Sequence, residues 1–154
     1  MSLDEYQGKR RFEQNKEPRG VVKLGSAGGG GVYVIQRHQA THLHWDLRLE
    51  MDGVLKSWAV PKEPPADKGI KRLAVQVEDH PLDYADFAGI IPEGGYGAGT
   101  VEIWDRGAYV LIDKKPNKIV FEIKGERLKG TYCLLRFKEE KNWLFFKTKE
   151  GEKP

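Results

Sequence analysis

At 154 residues the chain suits one domain and is tight for two. Hydrophobic residues make up 39% and charged residues 32%, no stretch approaches the ~20 apolar residues of a membrane span, and one cysteine, Cys133, excludes an internal disulfide framework or a multi-cysteine zinc site. The net charge of +3 conceals a layout: residues 1–23 sum to +2, residues 24–112 to −4 and residues 113–154 to +5. An acidic middle between basic ends suits either an unevenly charged solvated surface or a held cation with flanks that steer a polyanion.

In chain order, residues 1–24 are polar with little periodicity, and their start has no apolar core of a secretory signal. Gly25 to Gly31 is a glycine-rich connector, so residues 1–31 read as an arm and residues 32–154 as the body. The body reads as short strands: Val32–Arg37, Leu43–Glu50, Val54–Val60, Arg72–Glu78, Thr100–Trp104, Ala108–Ile112, Lys118–Lys124, Thr131–Lys138 and Trp143–Thr148. Turn signals separate several of them, at Met51-Asp52-Gly53, Asp105-Arg106-Gly107, Lys115-Pro116-Asn117 and Glu139 to Asn142. No segment reads as a long amphipathic helix. This spacing predicts an all-β, compact antiparallel barrel with short helical turns and long loops, the longest over Asp79–Gly99.

One strand carries unusual chemistry. Leu43–Glu50 alternates strictly, and strand side chains alternate between faces. Leu43, Trp45, Leu47 and Leu49 share an apolar face, while His44, Asp46, Arg48 and Glu50 share a polar one. His44 and Asp46 have the spacing two ligands need to reach one cation, and imidazole with carboxylate suits Mn, Fe or Zn. Arg48 follows, with a planar fork suited to a phosphate or carboxylate. A sharp turn at Gln39–Thr41 brings His38 within reach of the pair; His42 reads as a bystander.

Other candidates are weaker on residue type alone. His80, before Pro81, reads as a polar turn residue at a strand exit, where catalytic groups also occur. Lys62 and Arg72 flank a Pro-rich link and read as solvated cations. The glycine-rich segment 92–99 lacks the Gly-Lys-Ser/Thr of a phosphate-binding loop. The four tryptophans and Cys133 lie in predicted strands and read as core, with room for one or two tryptophans to stack on bases. Two other readings fit part of the pattern. His44, Asp46 and His80 match an iron(II) oxygenase triad, which leaves His38 and Arg48 without a role. A non-catalytic nucleic-acid-binding barrel would use the basic ends and aromatics, and has no need of a His/Asp pair.

The strings Gln36-Arg37-His38, Leu43 to Glu50, Gly53 to Lys62, Val77 to Tyr84 and Gly89 to Gly107 resemble the 3′-phosphoesterase domain of bacterial DNA ligase D. The resemblance implies a manganese-dependent enzyme of nonhomologous end joining, with Co²⁺ or Zn²⁺ as other metals. It implies removal of a 3′-terminal ribonucleoside and then of a 3′-phosphate from DNA. His38, His44 and Asp46 would hold the metal, Arg48 and His80 would contact the scissile phosphate, and Tyr84 would support them. Lys62, Arg72 and Glu78 match positions near the phosphate pocket, and Arg10 and Glu17 match positions of the family's arm. Arg11 stands where the family has Asp, which singles out ribonucleoside removal as the step to test. The resemblance also implies a stand-alone, cytoplasmic, prokaryotic protein. Its partners would be DNA or RNA-tipped DNA 3′ ends, and a separate ligase, polymerase or end-binding protein. We expect a monomer with no membrane association.

Overall fold

The structure, a computed structural model, describes residues 29–91 and 99–148. Nine strands form one antiparallel sheet: β1 (Gly30–Gln39), β2 (Leu43–Met51), β3 (Val54–Val60), β4 (Lys71–His80), β5 (Gly89–Ile91), β6 (Gly99–Lys115), β7 (Lys118–Gly125), β8 (Lys129–Lys138) and β9 (Asn142–Lys147). Their order is β1-β2-β3-β4-β9-β8-β7-β6, and pairing of β1 with β6 closes an eight-stranded barrel. β5 pairs with β6 at its start, and a 3₁₀ helix over Leu82–Asp86 links β4 to β5. The all-β barrel expected from the sequence is the observed fold. No described helix is long and apolar enough to cross a membrane.

Hairpins close most of the barrel. At the β2–β3 turn Asp52 and Gly53 both take positive φ, 57° and 82°, as two-residue hairpins with matching twist require. The apolar parity of each strand points inward. Tyr33, Ile35, Leu47, Leu49, Trp58, Phe121, Tyr132 and Phe145 are sealed in the interior. Trp45 and Trp143 are buried with them, whereas Trp104 is half-buried beneath the Arg127 guanidinium, 4.6 Å from its ring. Cys133 is fully buried, and burial pushes its thiol up to about 11. A second, smaller apolar cluster lies on the outer wall. There Val34, Leu55, Tyr84 and Ala85 pack together under the 3₁₀ helix.

One expected turn is absent. Asp105-Arg106-Gly107 does not reverse the chain; Gly99–Lys115 is one continuous strand. A bulge at Trp104 explains the broken alternation, since Gln36 pairs with Ile103 and Ile35 with Asp105. The bulge exchanges the parities, so Ile103 packs on the outer cluster while Tyr109 and Leu111 join the interior. Asp105 is 3% exposed. Its carboxylate accepts the Tyr33 hydroxyl at 2.7 Å and the backbone N–H groups of Glu126, Arg127 and Leu128 at 2.8, 2.8 and 3.0 Å. A Cβ at Gly125 would press on this carboxylate and on the Tyr33 ring, so glycine is needed there.

The strand β1 starts at Gly30, two residues before the expected boundary. The segment expected to be a long loop holds the end of β4, the 3₁₀ helix and β5. The expected arm lies almost wholly outside the described residues, as does segment 92–98.

Candidate active site

The polar parity of β1 and β2 faces outward. Hairpin register places His38 opposite His44, Gln36 opposite Asp46 and Val34 opposite Arg48. A three-residue loop, Ala40 to His42, is enough to bring His38 and His44 together, with ring centroids 4.8 Å apart. Asp46 Oδ2 lies 3.3 Å from His44 Nε2 and 3.8 Å from His38 Nδ1. One ligand atom from each of the three residues falls within 4.8 Å of the others.

Two nitrogens and a carboxylate oxygen facing one point suit a borderline divalent cation. The His44 ring is also set for it. Its Nδ1–H donates to the His42 carbonyl at 3.0 Å, which leaves Nε2 facing Asp46. The hydrogen bond to Asp46 raises the His44 pKa above its ordinary value. Burial acts to raise the Asp46 pKa, but hydrogen bonds from His38 and His44 and the Arg48 charge outweigh it and hold the carboxyl well below the usual range. His44 keeps a quarter of its side chain exposed, so the cluster is reachable from outside. The residues fit a metal ion.

Arg48 is 4% exposed and anchored on several sides. Its Nε donates to Gln36 Oε1 at 2.6 Å and its Nη1 to Ser57 Oγ at 2.8 Å. Nη1 also lies 3.1 Å from His80 Nδ1, and Nη2 lies 3.6 Å from Asp46 Oδ2. The guanidinium sits 4.8 Å from the centre of the Tyr84 ring. Gln36, fully buried, ties this arginine to the 3₁₀ helix by donating to the carbonyls of Tyr84 and Phe87 at 2.7 and 3.1 Å.

His80 reaches the same cleft through an irregularity in β4. Leu55 pairs with His80 and Ser57 with Val77, so Lys56 alone faces both Glu78 and Asp79. Strict alternation would send neighbouring residues to opposite faces; the bulge lets Val77, Glu78 and His80 line one cleft of about 280 Å³ with His38, Asp46 and Arg48. Asp79 turns away and accepts from Lys56 at 3.1 Å. The His80 and Tyr84 rings are 4.9 Å apart.

His38, His44, Asp46, Arg48, Glu78, His80 and Tyr84 therefore meet in one cleft, as the sequence suggested. Lys62 and Arg72 do not line it. Lys62 is exposed beyond β3, and Arg72 donates to the Glu63 carbonyl at 2.8 Å. Arg10, Arg11 and Glu17 lie outside the described residues. His42 is exposed and serves through its carbonyl. Gln36 and Ser57, the two hydroxyl and amide anchors of Arg48, were not singled out by sequence. Their only signal is that outward parity puts them beside Arg48 and Asp46.

A group able to hold a cation beside a buried guanidinium suits an oxyanion, here on the outer wall of a closed barrel. A family described as the DNA ligase D 3′-phosphoesterase domain matches residues 36–136. The chain belongs to this family. It is similar to the multifunctional non-homologous end joining protein LigD of Pseudomonas aeruginosa, at 49% identity over 97% of this chain and 19% of that protein. It is 42% identical to the multifunctional non-homologous end joining DNA repair protein LigD of Mycobacterium tuberculosis, over 96% of this chain and 20% of the relative. The LigD of Mycolicibacterium smegmatis is also 42% identical, over 90% of this chain. The chain spans about a fifth of the length of these relatives.

Proposed function

We propose that this protein is a metal-dependent phosphoesterase that heals DNA 3′ ends in nonhomologous end joining. On this reading it removes a 3′-phosphate and a 3′-terminal ribonucleoside, with Mn²⁺ as the metal. The observation that carries the reading is the cleft itself: three convergent ligands, His38, His44 and Asp46, beside the anchored fork of Arg48.

His38, His44 and Asp46 would hold a divalent metal, which would supply Lewis acidity toward a phosphoryl oxygen. The chain's own groups do the rest. Arg48, fixed by Gln36 and Ser57, neutralises charge on the equatorial oxygens and needs no reorganisation to do so. His80, beside Arg48, donates to the phosphate or to the departing oxygen. Tyr84 packs against both and keeps them in register. Lys62 and Arg72, with Arg10 and Glu17 of the arm, would guide the strand that leads to the cleft. Neither a bare binding barrel nor an oxygenase accounts for the whole cleft: the first needs no His/Asp pair, and the second leaves His38 and Arg48 without a role.

The test incubates the protein and Mn²⁺ with a primer–template ending in a 3′-phosphate or in one ribonucleotide. Release of phosphate or of the ribonucleoside is expected, and no product from either end overturns the reading. Repeating the assay with Co²⁺ and Zn²⁺ ranks the metals. The ratio of the two activities, before and after Arg11→Asp, tests the arm: a gain confined to ribonucleoside removal is expected.

A further inference from the structure

The barrel has a second cleft, at the mouth opposite the β1–β2 loop. It measures about 290 Å³, near the ~300 Å³ at which small-molecule pockets begin. Its floor is formed by Trp58, Trp143 and Ile119, side chains of the barrel interior. Its rim carries Lys114, Lys115 and Arg136 from β6 and β8, with the Asp52 carboxylate and Lys56 from β3, which Asp79 holds at 3.1 Å.

Three details make this more than a charged surface. The Arg136 guanidinium has no carboxylate partner among the described residues; it lies over the Trp143 ring at 5.9 Å. Lys114 and Lys115 meet their carboxylates at only 3.9 and 3.7 Å while both stay exposed, and such pairs contribute little. Trp143 meets Trp58 edge-on, with ring centroids 5.9 Å apart at 82°, so the base of the cleft is aromatic. The wall therefore combines an apolar aromatic floor, the Gln76 amide and, in Arg136, one cation without a carboxylate partner among the described residues. Gln76 is held in place by Trp143, whose Nε1 donates to its Oε1 at 3.2 Å.

We infer that this mouth binds an unpaired nucleotide, with the base against the tryptophan floor and the phosphate on Arg136 and Lys115. A flat heteroaromatic base brings a face for the Arg136 guanidinium and the aromatic wall beneath it, and its phosphate matches the rim. The site lies across the β3–β4 wall from the catalytic cleft, and its occupancy does not depend on the phosphoesterase reading. The nucleotide is either free or part of a single strand, and both are tested.

The experiment follows the indole N–H signals of the full chain by heteronuclear NMR in chelator, where no turnover occurs. The catalytic cleft has no tryptophan in its lining, so these signals report the mouth. Deoxyadenosine monophosphate, or a short unpaired oligodeoxynucleotide, should shift Trp58 and Trp143 selectively, and the stronger of the two names the source. Arg136→Gln should weaken that binding about tenfold, as loss of a charge-assisted contact does. Lys115→Gln, at an exposed position that the fold tolerates, should weaken it in the same direction. Neither should change phosphate release from a 3′-phosphorylated end. The inference fails if neither ligand moves the two indoles. It also fails if inorganic phosphate alone reproduces the shifts, or if both variants bind as tightly as the parent.

Discussion

Arg48 and His80 meet through a single nitrogen. Arg48 Nη1 lies 3.1 Å from His80 Nδ1, and the same Nδ1 lies 3.0 Å from the Glu78 carbonyl. A guanidinium only donates and a carbonyl only accepts, so the two contacts ask opposite things of one atom. When Nδ1 accepts from Arg48, the neutral ring carries its proton on Nε2 and offers a donor. On the proposed function, Arg48 would thus bind the phosphate and also favour the His80 tautomer that offers it a donor.

This relationship makes Arg48→Lys a poor replacement. A lysine keeps the charge but cannot bond Gln36, Ser57 and His80 at once. We expect kcat/KM for phosphate release to fall about 100-fold, the loss of two charge-assisted hydrogen bonds at ~1.5 kcal/mol each. Ser57→Ala should fall about tenfold, because one anchor is lost and the fork stays. Steady-state kinetics on a 3′-phosphorylated end measures both.

Asp46→Ala and His44→Ala each remove one member of the three-residue group proposed to hold the metal. Both should abolish phosphate release and ribonucleoside removal together. Calorimetric titration with Mn²⁺ should show binding in the parent and none in Asp46→Ala. Turnover in either variant would dismiss the metal assignment.

Protons and metal compete for the same atoms. The raised His44 pKa makes its protonated form stabilising below its ordinary value of 6.5, and that contribution is lost as pH rises through the raised folded value. The lowered Asp46 pKa contributes stability above 3.8, lost as pH falls through the folded value. The metal-free site is therefore best satisfied in mild acid, with Asp46 ionised and His44 charged. A metal replaces that proton, so the rise in Tm caused by Mn²⁺ should be larger at pH 8 than at pH 5.5. An equal rise at both values would contradict this.

Asp105 predicts a purely structural effect. Its carboxylate holds Tyr33 and three backbone N–H groups of the β7–β8 loop, and burial together with this contact pushes the Tyr33 hydroxyl pKa far up. Asp105→Ala strands those donors and should lower stability by about 3 kcal/mol, while Tyr33→Phe should cost about 1 kcal/mol. Denaturant unfolding measures both, and Mn²⁺ affinity of the folded fraction should not change.

The site was legible where the chain is locally regular. The alternation of Leu43–Glu50 sorts core from chemistry without any tertiary knowledge, and the β1–β2 register follows from a short loop. It was illegible where the sheet is irregular. The bulge at Trp104 breaks the alternation of β6, so a buried Asp followed by Arg-Gly imitates a turn. The bulge at Glu78–Asp79 is what aims His80, and no local pattern announces it. Gln36 and Ser57 matter through cross-strand contacts with Arg48, which a single strand's sequence does not display.

Placing the cleft on the outer wall has a consequence for how such a protein changes. The residues that seal the interior and those that handle the oxyanion alternate along the same strands, yet they answer to separate demands. Substitution at His44, Asp46 or Arg48 leaves the aromatic filling of the barrel intact. Inactive variants should remain folded, so that a loss of activity there reports the chemistry of the cleft and not the state of the core. Chemistry on this scaffold can be lost, tuned or replaced without renegotiating the core.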